Sequence, residues 1–135
     1  MINIKKLRKE YSNGQIALDD VSLYINKGEF LYVVGPSGAG KSTLLNLIFR
    51  SDTPTEGDIY IDNYSLSNLN RKHIPYLRRN IGMIFQDFKL LNRRTVFENV
   101  AFALKILGFS RAKIRRQVTQ VLELVGMSEK INHMP

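Results

Sequence analysis

Gly35-Pro36-Ser37-Gly38-Ala39-Gly40-Lys41-Ser42, with Thr43 behind it, reads G-x-x-x-x-G-K-S. Residues of those types at that spacing hold phosphate. The glycines let the backbone bend until successive N–H groups point inward at phosphate oxygens. A helix that starts at the end of such a loop adds the positive end of its dipole. Lys41 supplies a mobile point charge for the outer phosphates of a nucleotide. The Ser42 hydroxyl suits Mg²⁺, which takes oxygen ligands in octahedral geometry. Residues 35–43 are therefore the candidate cradle for a nucleotide's phosphate chain and its magnesium.

The elements around this loop must position it. FLYVV (30–34) is a short continuous apolar run, the pattern of a strand buried on both faces. STLLNLIF (42–49) follows the loop, and Leu44, Leu45, Leu47 and Ile48 predict a helix buried on more than one side. Upstream, Ile2, Ile4 and Leu7 lead to Tyr11, and SNGQ (12–15) reads as a turn. Val21, Leu23 and Ile25 alternate with polar neighbours as a half-buried strand, ended by a turn at Asn26-Lys27-Gly28. Two strands around a tight turn, followed by a buried strand, predict a mixed sheet with an antiparallel edge. Ile59 and Ile61 alternate as a short strand, residues 62–80 form a polar and basic excursion with one short helix, and IGMIF (81–85) is a further buried strand. Thr95 and Glu98 have capping-box spacing ahead of a helix whose stripe is Val96, Val100, Ala103, Leu104 and Leu107. Gly108 closes it and Ser110 caps the next helix, with Ile114, Val118, Val121, Leu122 and Val125 on one face and Gly126 at its end.

Composition narrows the function classes. The chain has 135 residues, enough to bury a core. It has no cysteine, which removes disulfides, thiolate zinc sites and thiol nucleophiles. No apolar run opens the chain as a signal peptide would, and none reaches the roughly 18 residues of a membrane span. The chain is expected in the cytosol unless a partner holds it at a membrane. The net charge of +8 is spread over Lys5–Lys9, Arg71–Arg79 and Arg111–Arg116. That scatter reads first as solvated surface and second as affinity for an anionic membrane. Nucleic acid comes last, because no recognition motif accompanies the charge.

A phosphate loop alone leaves kinases, GTPases, helicases and transporters open. The flanks decide. Tyr11 lies on the first strand, before a turn and ahead of the loop, and IGMIFQD (81–87) puts Gln86 at the end of a buried strand. This arrangement resembles the nucleotide-binding domain of ABC-type ATPases. The resemblance implies that Tyr11 stacks on adenine, and that Gln86 touches Mg²⁺ and the attacking water. It implies ATP and Mg²⁺ as ligands, with Lys41 and Gln86 in catalytic roles and Ser42 and Gln86 at the metal. The segment RKHIPYLRRNIGMIFQDFKLLNRRTVFENVAFALKILG (71–108) is similar to the FtsE group of cell-division ATPases, more than to the lipoprotein-export or macrolide-export groups. That likeness covers essentially the whole chain. It implies a membrane subunit like FtsX as partner, docking near Asp87–Leu91, a head-to-tail homodimer, and a place on the cytoplasmic face of the membrane.

The fold class expected is α/β, a P-loop NTPase of ABC type with an antiparallel β edge and the start of a helical subdomain. The boundaries expected are 1–87 for the core and 88–135 for the subdomain. No SGG and no Asp-Glu dipeptide occurs, so the signature and the Walker B strand of that family are missing and the chain is expected to stop ahead of them. MIFQD (83–87) and IYID (59–62) imitate an apolar strand ending in Asp, but the first fits the glutamine loop and the second lacks the Glu. His73 and His133 read as surface histidines and not as the family's switch histidine. Without its Glu and signature the chain alone is expected to bind Mg-ATP and hydrolyse almost none. Without the later strands, 30–34 and 81–85 are expected to lose neighbours and leave apolar surface bare. A non-hydrolysing fragment that binds nucleotide or the membrane subunit is the second reading. A small kinase is the third, and it leaves Gln86 unexplained.

Overall fold

The step from Ile4 to Leu7 breaks the two-residue period of a strand, and the backbone absorbs it. In the computed structural model, which describes residues 1–135, β1 runs Ile2–Glu10 and its ladder shifts register between these two residues, with Lys6 at φ +45°. The bulge lets both side chains face the same core. A Cβ at Gly57, opposite the bulge, would stand 2.2 Å from the Lys6 carbonyl oxygen, so only glycine fits there.

The chain forms two compact units, Met1–Gly82 and Met83–Pro135. In the first, β1 pairs antiparallel with β2 (Ile16–Ile25) on one side and β3 (Glu56–Ile61) on the other, and β3 pairs with β4 (Tyr64–Ser65). The order is β2-β1-β3-β4. Helix α1 (Lys41–Ile48) sets Leu44 and Leu47 against Ile4, Leu7, Leu18, Ile59 and Leu66. A short helix, α2 (Ile74–Arg79), begins with proline in its first turn, where a missing N–H costs nothing. Its Arg78 guanidinium donates to the Phe49 and Arg50 carbonyls at 3.1 and 3.0 Å, placing a cation on the C-terminal end of α1.

The sheet corrects three expectations. It is wholly antiparallel rather than mixed. Residues 30–34 and 81–85 are irregular rather than strands. Helix α1 is buried on one side only, with Leu45 half exposed. One cause serves all three. A strand needs hydrogen-bonding neighbours, and a continuous apolar run needs cover on both faces. The chain supplies neither, so Phe30 is 77% exposed and Ile84 94%. The bare apolar surface expected for these two segments is present.

In the second unit α3 (Val96–Ile106) and α4 (Arg111–Leu124) pack around Ala101, Ile114, Val118 and Leu122. The capping box is made: Glu98 N donates to Thr95 Oγ1 at 3.2 Å and Thr95 N to Glu98 Oε2 at 3.0 Å. Ser110 caps α4 by accepting from Lys113 N. Gly108 and Gly126 follow the helices at φ +77° and +69°, as a left-handed helix stop requires. The stripes are narrower than expected. Ala103, Leu107, Val121 and Val125 face outward, while Phe97 and Ala101 join the core. Positions 114, 118 and 122 keep a strict four-residue step, and Val121, about 100° around the helix from Leu122, turns away, while Leu107 and Val125 are the C-cap residues of their helices. No helix of the chain is long and apolar enough to cross a membrane.

Candidate phosphate-binding site

Gly40 is where the loop becomes a helix. It caps α1 at φ +83° and is buried. A Cβ there would lie 2.2 Å from the Ala17 carbonyl oxygen and 2.9 Å from Leu18 Cδ2. The glycine thus does two things: it takes the left-handed turn and lets the helix N-terminus lie directly on β2. Gly38, at φ +81°, turns the loop tip with open space around it. Leu44 N donates to the Gly40 carbonyl at 2.9 Å, so the first α-helical bond is made and the amides before it stay available at the N-terminus.

Lys41 closes the loop. Its Nζ donates to the Gly35 and Pro36 carbonyls at 2.8 and 2.6 Å. An ammonium has three donors, so one remains for an anion seated in the loop. Ser42 is exposed in the first turn of α1. No group of three His, Cys, Asp or Glu gathers anywhere in the chain. A divalent cation at this loop would therefore take the Ser42 hydroxyl, the ligand's phosphate oxygens and water. Magnesium is the ion that accepts such a donor set.

Tyr11 stands just past the end of β1, where its N donates to the Gln15 carbonyl and its carbonyl accepts from Gly14 N. Its hydroxyl lies 3.2 Å from Thr43 Oγ1, which ties the ring to the third residue of α1. Tyr11, Thr43, Lys41 and the loop are thus joined within the first unit. Gln86 lies in the second unit, exposed, in a turn whose next residues carry positive φ: Phe88 at +53° and Lys89 at +49°. Lys89 donates to the neighbouring Asp87 at 2.5 Å, and this hydrogen bond holds the Asp87 carboxyl below the usual carboxylate range. His73 and His133 are exposed.

Two positioning residues were not evident from the motifs. Asn99 pins the segment after Gln86: Leu91 N donates to its Oδ1 at 2.7 Å, and its Nδ2 donates to the Leu91, Arg94 and Thr95 carbonyls. Lys9 is buried beneath Tyr11, with Nζ 5.0 Å from the ring centroid. It donates to Asp52 Oδ1 at 2.8 Å and to the Thr53 carbonyl at 2.9 Å. Partial burial pushes the Asp52 carboxyl up, but the hydrogen bonds from Lys9 and the Thr53 amide outweigh it, and the net shift is downward. The available signal was the alternation on β1: Lys9 follows Leu7 at the inward step, an unusual place for a lysine.

The model of the family described as ABC transporter matches residues 18–135. The chain belongs to the ABC transporter family. Over its whole length it is 50% identical to the cell division ATP-binding protein FtsE of Bacillus subtilis, covering 59% of that protein. It is 46% identical to the methionine import ATP-binding protein MetN of Clostridioides difficile, covering 42% of it. Among solved structures, a dimeric ATP-binding cassette in a post-hydrolysis state with ADP and Pi superposes with a TM-score of 0.88 at 38% identity, over all of this chain and 62% of the other. The family's α/β fold is thereby shown. The chain spans 59% and 42% of the length of these two curated relatives.

Proposed function

We propose that this chain is the ATP-binding part of an ABC ATPase of the FtsE kind, which works with an FtsX-like membrane subunit in bacterial cell division. The observation that carries the ATP-binding reading is Lys41 bridging the mouth of a glycine loop that ends on a helix N-terminus. In this reading the loop amides and the third Lys41 donor hold the phosphates. Tyr11 stacks on the base, Ser42 offers its hydroxyl to magnesium, and Gln86 reaches the metal and the attacking water. Magnesium, when bound, neutralises charge on the phosphates. The chain would sit on the cytoplasmic face of the membrane, held by its partner in a head-to-tail homodimer. The core and the helical part would divide near residue 87.

Phosphoryl transfer depends on positioning and charge stabilisation. The chain has no Asp-Glu pair and no SGG signature. Hydrolysis by the chain alone is therefore expected to fall roughly a thousandfold or more below that of a complete ABC ATPase. Phosphate release at the complete enzyme's rate, abolished by Lys41→Ala, would overturn this.

A second reading, ATPase of a methionine importer, draws on relatives named MetN at 43–46% identity. Relatives named FtsE reach 42–50%. Co-expression with each type of membrane subunit separates the two. Co-purification with the FtsX-like subunit is expected, and recovery with a methionine permease alone would select the importer.

A further inference from the structure

Lys9 is a buried lysine with no part in holding phosphate. Its ammonium is fixed by Asp52 Oδ1 and the Thr53 carbonyl, and it sits against one face of the Tyr11 ring. The far edge of the same ring is tied at its hydroxyl to Thr43 Oγ1 in α1. The ring is thus held at two points, and one of its faces is taken. A cation against one face draws π-density out of the ring. The opposite face then meets an electron-rich purine with less π-repulsion, and it is already oriented when the base arrives.

We propose that Lys9, clamped by Asp52 and Thr53, is a positioning residue that holds and polarises the Tyr11 ring as a one-sided platform for the nucleotide base. This rests on the ATP-binding reading above and adds to it a determinant of base affinity outside the loop. Lys9 touches neither base nor phosphate and acts through Tyr11. The clamp also joins the end of β1 to the segment after α1, residues 43 apart in sequence, and so adds a second tie between the platform and the phosphate helix beside the Tyr11–Thr43 contact.

The test compares Mg-ATP with Mg-tripolyphosphate, an inorganic ligand that has the phosphates and no base, by titration calorimetry on the chain. Lys9→Met is expected to weaken ATP binding by roughly fivefold or more and to leave tripolyphosphate within about twofold. Lys9→Arg, which keeps the cation, is expected to restore most of the loss. In a Tyr11→Leu background Lys9→Met is expected to change nothing further, because the ring it acts through is gone. Equal weakening of both ligands, or an effect that persists without Tyr11, would make Lys9 merely structural and overturn the proposal. Should Lys9→Met fail to fold, Asp52→Ala removes the Oδ1 acceptor and loosens the clamp with the lysine in place. Selective weakening of ATP there supports the proposal, and unchanged ATP binding defeats it. An unaltered chain that binds tripolyphosphate as tightly as ATP has no base platform, though its phosphate site stands. A chain that binds neither loses the phosphate site and the platform together.

Discussion

β1 and residues 30–34 both carry apolar side chains in the same unit, and those side chains meet opposite fates. β1 has a strand on each side, and its Ile4 and Leu7 are 1% and 0% exposed. Residues 30–34 have no strand on either side, and Phe30 and Val34 are 77% and 84% exposed. The second segment is the more hydrophobic of the two. Composition therefore does not decide which one is buried. A strand is a property of a pair, because the backbone groups of one segment are satisfied only by another. The phosphate loop hangs between these two cases. It leaves the bare segment at Gly35 and lands on the well-packed α1, where Gly40 seats it against β2.

The largest effect should separate the two segments. Leu7→Ala is expected to cost about 2–5 kcal/mol and shift the urea midpoint sharply, or to unfold the unit outright. Were Leu7→Ala and Val34→Ala to cost the same, the contrast would be broken. Next comes Gly40→Ala. Its Cβ would collide with the Ala17 carbonyl, so it should cost about 2 kcal/mol or more and loosen nucleotide binding with it. Gly38→Ala, with open space around it, should cost only about 1 kcal/mol for its left-handed backbone. A Gly38 variant as damaging as the Gly40 one would show that crowding against β2 is not the constraint.

The second unit sharpens the comparison, because its helix caps are local. Thr95→Ala removes one half of the capping box and should cost about 1 kcal/mol, read as lost helicity in α3. The first unit carries a pH signature in the turn from β3 through β4, where Asp58 accepts from Ser65 and Ser67. Burial raises the Asp58 carboxyl, but hydrogen bonds from Ser65 and Ser67 outweigh it and lower it from its ordinary value of 3.8. A lowered carboxyl stabilises the fold above that value and loses the contribution as pH falls below it. The stability of the first unit should therefore drop below about pH 4, and Asp58→Asn should flatten that part of the profile. The smallest effect is Val34→Ala, expected to stay within about 0.5 kcal/mol by urea titration.

The same contrast explains what was legible in the sequence. Thr95 with Glu98, Gly108, Ser110 and Gly126 act over three or four residues, and each could be read directly. Gly35, Gly40, Lys41 and Ser42 stand out as candidates because the motif names the chemistry. The reach of Gly40 to Ala17 was not legible, since it depends on β2 lying under the loop. Lys9 with Asp52 was not, because nothing at position 9 points to position 52. Residues 30–34 and 81–85 were misread as strands for the converse reason: a run of apolar residues shows what a segment would bury, not whether a neighbour exists. The stripes of α3 and α4 were right in phase but too wide at Ala103, Leu107, Val121 and Val125, which no second layer covers.

The central claim is that the loop from Gly35 to Ser42 holds a nucleotide's phosphates. A calorimetric titration of Mg-ATP into the chain, with Lys41→Ala beside it, tests this directly. Saturable binding of one ATP per chain is expected, lost in Lys41→Ala while the far-UV spectrum is kept. Binding that survives Lys41→Ala undiminished, or no saturable binding to a folded unaltered chain, would contradict it.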